Sequence, residues 1–316
     1  MYLEQKQKKI IILEIGLSYK NILIRTDSSS TIGTGHIMRD IVLARQYKST
    51  NITFATQDLD GNINDKIKQN GYKINILKSN DIKELDKLIK KLNIDLLIID
   101  HYEIDYKKEK KLKKQNKDLI ILSFDDTYNK HHCDILLNHN IYAKKKKYKN
   151  KVPKNCEIRC GAKYTLLRDE FQREKLKSYK KNKKFTFFIA MGGADTSNTN
   201  INILKVLKNF DNIKVNLVTT SSNKNLKKLQ KYCTDKKWIK LHINSQQIAK
   251  LIKKSDYGII TPSVTANELY FLNKPFLAIQ TASNQKFMTK YLKNKNYNIL
   301  KPFNKIKLKK QLCKIL

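Results

Sequence analysis

The segment Asp27-Ser-Ser-Ser-Thr-Ile-Gly-Thr-Gly-His-Ile-Met-Arg39 sets an imidazole, His36, directly behind two glycines. Gly33 and Gly35 permit close backbone approach to a ligand and conformations closed to other residues. Apolar spacing resumes at Ile37, Ile41, Val42 and Ala44, which predicts a helix starting near His36. The positive end of a helix disfavours imidazolium, so His36 is expected to be neutral and able to take a proton from water, as a general base must. A histidine that merely caps the turn is the competing reading. The third glycine of a dinucleotide fingerprint is missing, so Gly-x-Gly alone does not define the ligand.

Two further loops have the composition of a phosphate site. Phe187-Phe-Ile-Ala-Met-Gly-Gly-Ala-Asp-Thr-Ser-Asn198 runs from a predicted strand through Gly192, Gly193 and Asp195 into a predicted helix. Exposed amides at a helix start bind phosphate readily, although a plain tight turn has the same composition. The stretch from Thr261 to Glu268 offers Ser263, Val264 and Thr265 at a helix start, with Glu268 one turn inside, where a carboxylate can accept both ribose hydroxyls. Lys274-Pro275 and Asn284-Gln285 follow. Ser and Thr cap helices everywhere, so each residue taken singly is ordinary.

The elements that must position these loops are short apolar runs, each followed by a charged amphipathic stretch. Strands are predicted at 21–26, 51–55, 73–77, 95–100, 119–124 and 134–137, then at 185–191, 214–219, 239–243, 257–261, 275–279 and 297–300. Strands alternating with helices imply parallel sheets covered on both faces. The expected fold class is α/β, with two doubly wound Rossmann-like domains facing a cleft. An N-terminal extension (1–20) precedes a first domain at 21–163, a charged helical connection at 164–184 and a second domain at 185–316. Ligands of such sheets bind at the carboxyl ends of the strands.

Composition narrows the function classes. The formal charge of +37 suggests nucleic acid, but only six of the 65 basic residues are Arg, the side chain that base and bidentate phosphate recognition favour. Abundant Lys, Asn and Ile fit a compositional bias, and the field suits a diphosphate substrate as well as it suits a nucleic acid. Five irregularly spaced cysteines argue for a reducing compartment, hence a cytoplasmic protein, and match no structural zinc pattern. No run approaches the roughly 20 apolar residues of a membrane span. A monomer without a metal or cofactor, and without nucleic-acid or membrane partners, is the expectation.

Gly33-x-Gly-His36 in one half, with Gly192-Gly193, Glu268, Lys274-Pro275 and Asn284-Gln285 in the other, resembles the GT-B glycosyltransferases. The strings Asp27-Ser-Ser-Ser30, Gly33-Thr-Gly-His-Ile-Met-Arg-Asp40, Leu97-Ile-Ile-Asp-His-Tyr102, Leu122-Ser-Phe-Asp-Asp126, His132-Cys-Asp-Ile-Leu-Leu-Asn138, Arg159-Cys-Gly161, Leu167-Arg168 and Met191-Gly-Gly193 sharpen the match. Together they are similar to the UDP-2,4-diacetamido-2,4,6-trideoxy-β-L-altropyranose hydrolases of pseudaminic acid biosynthesis, the PseG family, from about residue 21 to 300. The resemblance implies metal-independent hydrolysis at the sugar C1 with inversion. His36 would be the base, while Tyr102 and Asn284 would support the chemistry. Asp27, Gly33, Thr34, Gly35, Arg39 and Arg168 would line the substrate. Gly192, Gly193, Asp195, Ser263, Val264, Thr265 and Gln285 would hold the nucleotide, with Glu268 on the ribose. The freed sugar would go on to pseudaminic acid and flagellin glycosylation. A GT-B transferase, which needs the same base for an acceptor hydroxyl, is the alternative, and a UDP-sugar epimerase is another. A non-enzymatic nucleic-acid-binding protein is the remote one.

Overall fold

The computed structural model describes residues 19–193, 195 and 197–316. The expected N-terminal extension falls almost wholly outside them. The backbone divides into two compact units. Among the described residues, one comprises those through Thr26, Met38–Asp58 and Asn64–Leu166; the other comprises Asp27–Ile37, Leu59–Ile63 and those from Leu167 to Leu316. This differs from a single cut near residue 163 by assigning two short segments of the first half to the second unit.

The first sheet is built from β1 (Asn21–Thr26), β2 (Asn51–Thr56), β3 (Lys73–Ile76), β4 (Leu96–Asp100), β5 (Ile120–Phe124), β6 (Ile135–Asn138) and β7 (Glu157–Cys160). Its order is β3-β2-β1-β4-β5-β6-β7, and every pairing is parallel. β1 and β4, at its centre, are buried almost throughout, as a sheet covered on both faces requires. Helices α1 (Gly35–Ala44), α2 (Asn64–Gln69), α3 (Ile82–Lys91) and α4 (Tyr106–Gln115) join the first five strands. Helix α5 (Asp169–Lys175) leads onward.

The second sheet consists of β8 (Phe185–Ala190), β9 (Ile213–Thr219), β10 (Ile239–Ile243), β11 (Tyr257–Ile260), β12 (Phe276–Ile279) and β13 (Asn298–Leu300), ordered β10-β9-β8-β11-β12-β13 and again parallel. Helices α6 (Thr199–Leu207), α7 (Leu226–Cys233), α8 (Ile248–Lys253), α9 (Val264–Phe271), α10 (Lys286–Asn294) and α11 (Lys305–Leu312) follow its strands in turn. Phe187, Ile189, Leu217, Ile259 and Leu277 form the middle of its core. Among the described residues no helix is long and apolar enough to cross a membrane.

Two expectations need correction. The connection at 164–184 is helical only over Asp169–Lys175, because Leu176 is exposed and only Tyr179 among the next eight residues could supply an apolar face. Strand β7 is absent from the strands that the sequence predicts. Its Arg159 is buried and donates from Nε and Nη2 to the two Glu157 carboxylate oxygens, each at 2.6 Å.

Gly258 shows how tightly helix and sheet meet under the nucleotide-binding candidates. A Cβ there would run into Leu269 Cδ2 on α9 and lie 3.0 Å from Phe276 Cβ on β12. Gly258→Ala is expected to cost about 1–3 kcal/mol by overpacking, read as a lower urea midpoint. An unchanged midpoint would show that Leu269 simply turns aside.

Candidate active site

In each sheet the strand order reverses between two central strands, β1 and β4 in the first, β8 and β11 in the second. Loops at the carboxyl ends of such strands are where ligands bind in open α/β sheets. Most of the candidate residues follow those four strands, whereas Arg168 lies beyond β7 and Asn284-Gln285 beyond β12. His36 lies beyond β1, Tyr102 beyond β4, Gly192-Gly193 beyond β8, and Ser263 with Glu268 beyond β11.

The loop after β1 is held from within. Ser29 Oγ accepts from the Thr31 and Ile32 amides (3.2 and 2.9 Å), and the Gly33 amide donates to the Ser29 carbonyl (2.8 Å). Ser30 Oγ donates to Asp60 Oδ2 (3.0 Å), while Ser28 Oγ accepts from the Ile63 amide (3.0 Å). The serines therefore brace the loop. Gly33 has φ +85°, which favours glycine, and an added Cβ at Gly33 or Gly35 would meet nothing within 4 Å, so both sites have open space beside them. Thr34 is half-buried and Asp27 buried. His36 is the second residue of α1 and 8% exposed, at the helix end the sequence predicts.

One turn further along α1, Arg39 is engaged by other side chains. Its Nε donates to Asp100 Oδ2 (2.5 Å), its Nη2 pairs with Asp100 Oδ1, its Nη1 lies 3.8 Å from Asp126 Oδ2, and its guanidinium covers the Phe124 ring at 4.9 Å. Burial would pull the Arg39 pKa down, but Asp100 outweighs it and keeps the group charged. Asp40 beside it is fully buried. Burial, and then the nearby Asp100, push its carboxyl well above the usual range, favouring the neutral form. Tyr102 is 51% exposed, and its hydroxyl donates to Asp126 Oδ2 at 2.8 Å. Asp100 and Asp126 thus hold Arg39 and Tyr102, a role that nothing in their local sequence reveals.

In the second unit two helix starts behave differently. Asp195 Oδ1 and Oδ2 accept from the Thr199 and Asn200 amides (2.9 and 3.1 Å), so the first amides of α6 are already occupied by a carboxylate. Burial pushes Asp195 up to about 6 against those bonds. At α9 the cap residue Ser263 makes no side-chain capping bond; its hydroxyl lies 3.1 Å from Thr261 Oγ1. Val264 and Thr265, its first two residues, are half-buried. Gly192 has φ +79°, and Gly193 is packed so that a Cβ would stand 3.0 Å from Thr220 Oγ1.

Glu268 is buried on α9 and accepts from Arg168 Nη2 at 3.2 Å. Burial pushes its carboxyl up and Arg168 opposes the shift. Arg168 Nη1 also meets Glu170 Oε1 at 2.7 Å. After β12, Gln285 Oε1 accepts from the Thr281 and Ala282 amides (2.9 and 3.2 Å), closing the turn that exposes Asn284. Among the described residues no group of three or more His, Cys, Asp or Glu is placed to hold a metal.

Two parallel sheets of this order, with glycine-bearing loops at their central strand ends, define a GT-B-like fold. Solved structures support that fold. MurG of Acinetobacter baumannii matches with TM-score 0.60 at 11% identity, over 94% of this chain and 90% of that one. A UDP-GlcNAc 2-epimerase from Neisseria meningitidis bound to UDP-GlcNAc gives 0.62 at 11% identity, over 93% and 90%. The spinosyn rhamnosyltransferase SpnG gives 0.63 at 10%, over 93% and 91%. The chain is 44% identical over 278 residues, 88% of its length, to the UDP-2,4-diacetamido-2,4,6-trideoxy-beta-L-altropyranose hydrolase of Campylobacter jejuni, covering 98% of that protein. It belongs to that hydrolase family. An uncharacterized protein of Methanocaldococcus jannaschii is 30% identical over 294 residues, and the chain spans 60% of that longer protein. No family model matches the chain.

Proposed function

We propose that this enzyme hydrolyses UDP-2,4-diacetamido-2,4,6-trideoxy-β-L-altropyranose to the free sugar and UDP. The observation that carries the reading is the 44% identity over 98% of the Campylobacter hydrolase. Water attacks C1 on the face opposite the diphosphate, the C1–oxygen bond breaks, and the configuration inverts. His36 takes the water proton as the new bond forms. Tyr102, anchored through its hydroxyl to Asp126, supports the sugar, and Asn284 assists the chemistry. The departing diphosphate is met by the start of α9 at Ser263, Val264 and Thr265. That helix start is favoured over α6, whose first amides Asp195 already takes. Glu268 receives the ribose hydroxyls.

The protein works without a metal or cofactor, as a cytoplasmic monomer, and its sugar product goes on to pseudaminic acid and flagellin glycosylation. Five free cysteines fit a reducing compartment. Incubation with the UDP-sugar in chelator, with no acceptor present, is expected to release UDP and free sugar. UDP release only on adding an acceptor would make the enzyme a transferase, and dependence on an added divalent cation would remove the metal-free step.

A further inference from the structure

The family resemblance sets Arg168 along the substrate; in the structure its guanidinium is engaged by two carboxylates. Arg168 caps the start of α5 without a side-chain capping bond, and its guanidinium spans two carboxylates. Nη2 donates to Glu268 Oε1 across 100 residues of sequence, and Nη1 pairs with Glu170 Oε1. Glu170 Oε2 in turn accepts from the Ala249 amide at 3.2 Å, the second residue of α8. The fork therefore links α5 to Glu268 on α9, and Glu170 links it onward to α8.

We infer that Arg168 is a positioning residue for the ribose end of the nucleotide, acting through Glu268 and not on the phosphates. This rests on the reading of Glu268 as the ribose acceptor. Two hydroxyls donating to one carboxylate need an ionised group held in a fixed plane. Glu268 and Glu170 are largely buried near each other, and without a cation between them one would take up a proton. A planar guanidinium meets both carboxylates at once and fixes their orientation. A lysine ammonium supplies the charge without the fork.

The test compares binding of UDP, 2′-deoxy-UDP and uridine by calorimetry. The parent chain is expected to bind UDP about tenfold or more tighter than 2′-deoxy-UDP, as loss of a hydrogen bond to a charged group predicts. Arg168→Met should lose most of that preference, weakening UDP while leaving 2′-deoxy-UDP nearly unchanged. Glu268→Gln should show the same pattern, and combining the two should add little. Arg168→Lys should recover part of the preference, which also controls for folding. With the UDP-sugar, Arg168→Met should raise KM and leave kcat within a few-fold. Equal weakening of UDP and 2′-deoxy-UDP, with uridine unaffected, would place Arg168 on the phosphates and overturn the inference while leaving Glu268 on the ribose. Equal binding of the two nucleotides by the parent chain would instead remove the ribose role of Glu268, and the inference with it.

Discussion

A His36→Asn variant is expected to fold and bind UDP like the parent chain while turnover falls by about 10²–10⁴-fold, the range a positioned general base contributes. Asparagine separates the two roles open to this residue. His36 is the second residue of α1, and a side chain there could serve the helix start by hydrogen bonding or the substrate by proton transfer. Asparagine is among the best residues for local bonds at a helix start but cannot take a proton from water. Matched circular dichroism and UDP affinity with lost turnover would assign the proton transfer. Retained turnover would leave His36 a structural residue and require another base.

His131→Phe is expected to cost about 3–5 kcal/mol, because it removes a cation from between two buried carboxylates. His131 Nδ1 lies 2.8 Å from Glu109 Oε1, and Nε2 lies 3.7 Å from Asp125 Oδ1. Glu109 also accepts from Ser123 Oγ and the His132 amide, while Asp125 accepts from the Tyr148 hydroxyl and the Thr127 and Tyr128 amides. The cluster fastens the segment after β5, and Asp126, the anchor of Tyr102, belongs to that segment. Burial alone would pull the imidazole down, but Asp125 and Glu109 outweigh it and hold its pKa at about 10. A histidine raised this far above its ordinary value of about 6.5 stabilises fully below that pH and loses the contribution as pH rises through about 10. For Asp125, burial is outweighed by bonds from His131 and Tyr148, and its pKa falls to about 2, so its contribution is present above about 4 and lost toward pH 2. Melting temperatures should therefore fall on both the alkaline and the acid side, and the alkaline decline should flatten in His131→Phe. An unchanged melting curve from pH 6 to 10 in both proteins would show that the imidazole carries no charge in the fold.

Much of the scaffold is legible in the chain because central parallel strands are nearly pure apolar runs. The central strand at 21–26 and the edge strand at 239–243 begin and end where the structure puts them. β7 escapes because it places Arg159 inside, neutralised by a partner two residues away, and pattern reading takes charge as exposure. The site divides in the same way. Gly33, Gly35, Gly192 and His36 announce themselves through conformation and position at strand ends. Arg39 and Arg168 look like free cations in the sequence, since their partners Asp100 and Glu268 stand 61 and 100 residues away. Asp195 likewise reads as a ligand to substrate although it closes the start of its own helix. Asp125 and Asp126 are adjacent and of one type, yet one bonds inward to His131 and Tyr148 and the other holds Tyr102.

The gathering of most candidate residues onto the ends of β1, β4, β8 and β11 has an evolutionary consequence. Remodelling the chemistry of such a protein means editing a few short loops, while the buried strands beneath them answer only to packing. Packing accepts many sequences of suitable volume and pattern. Changes confined to such loops can alter what a fold of this kind does without redesigning its framework. That freedom accounts for frameworks that still superimpose when 10–11% of their residues agree.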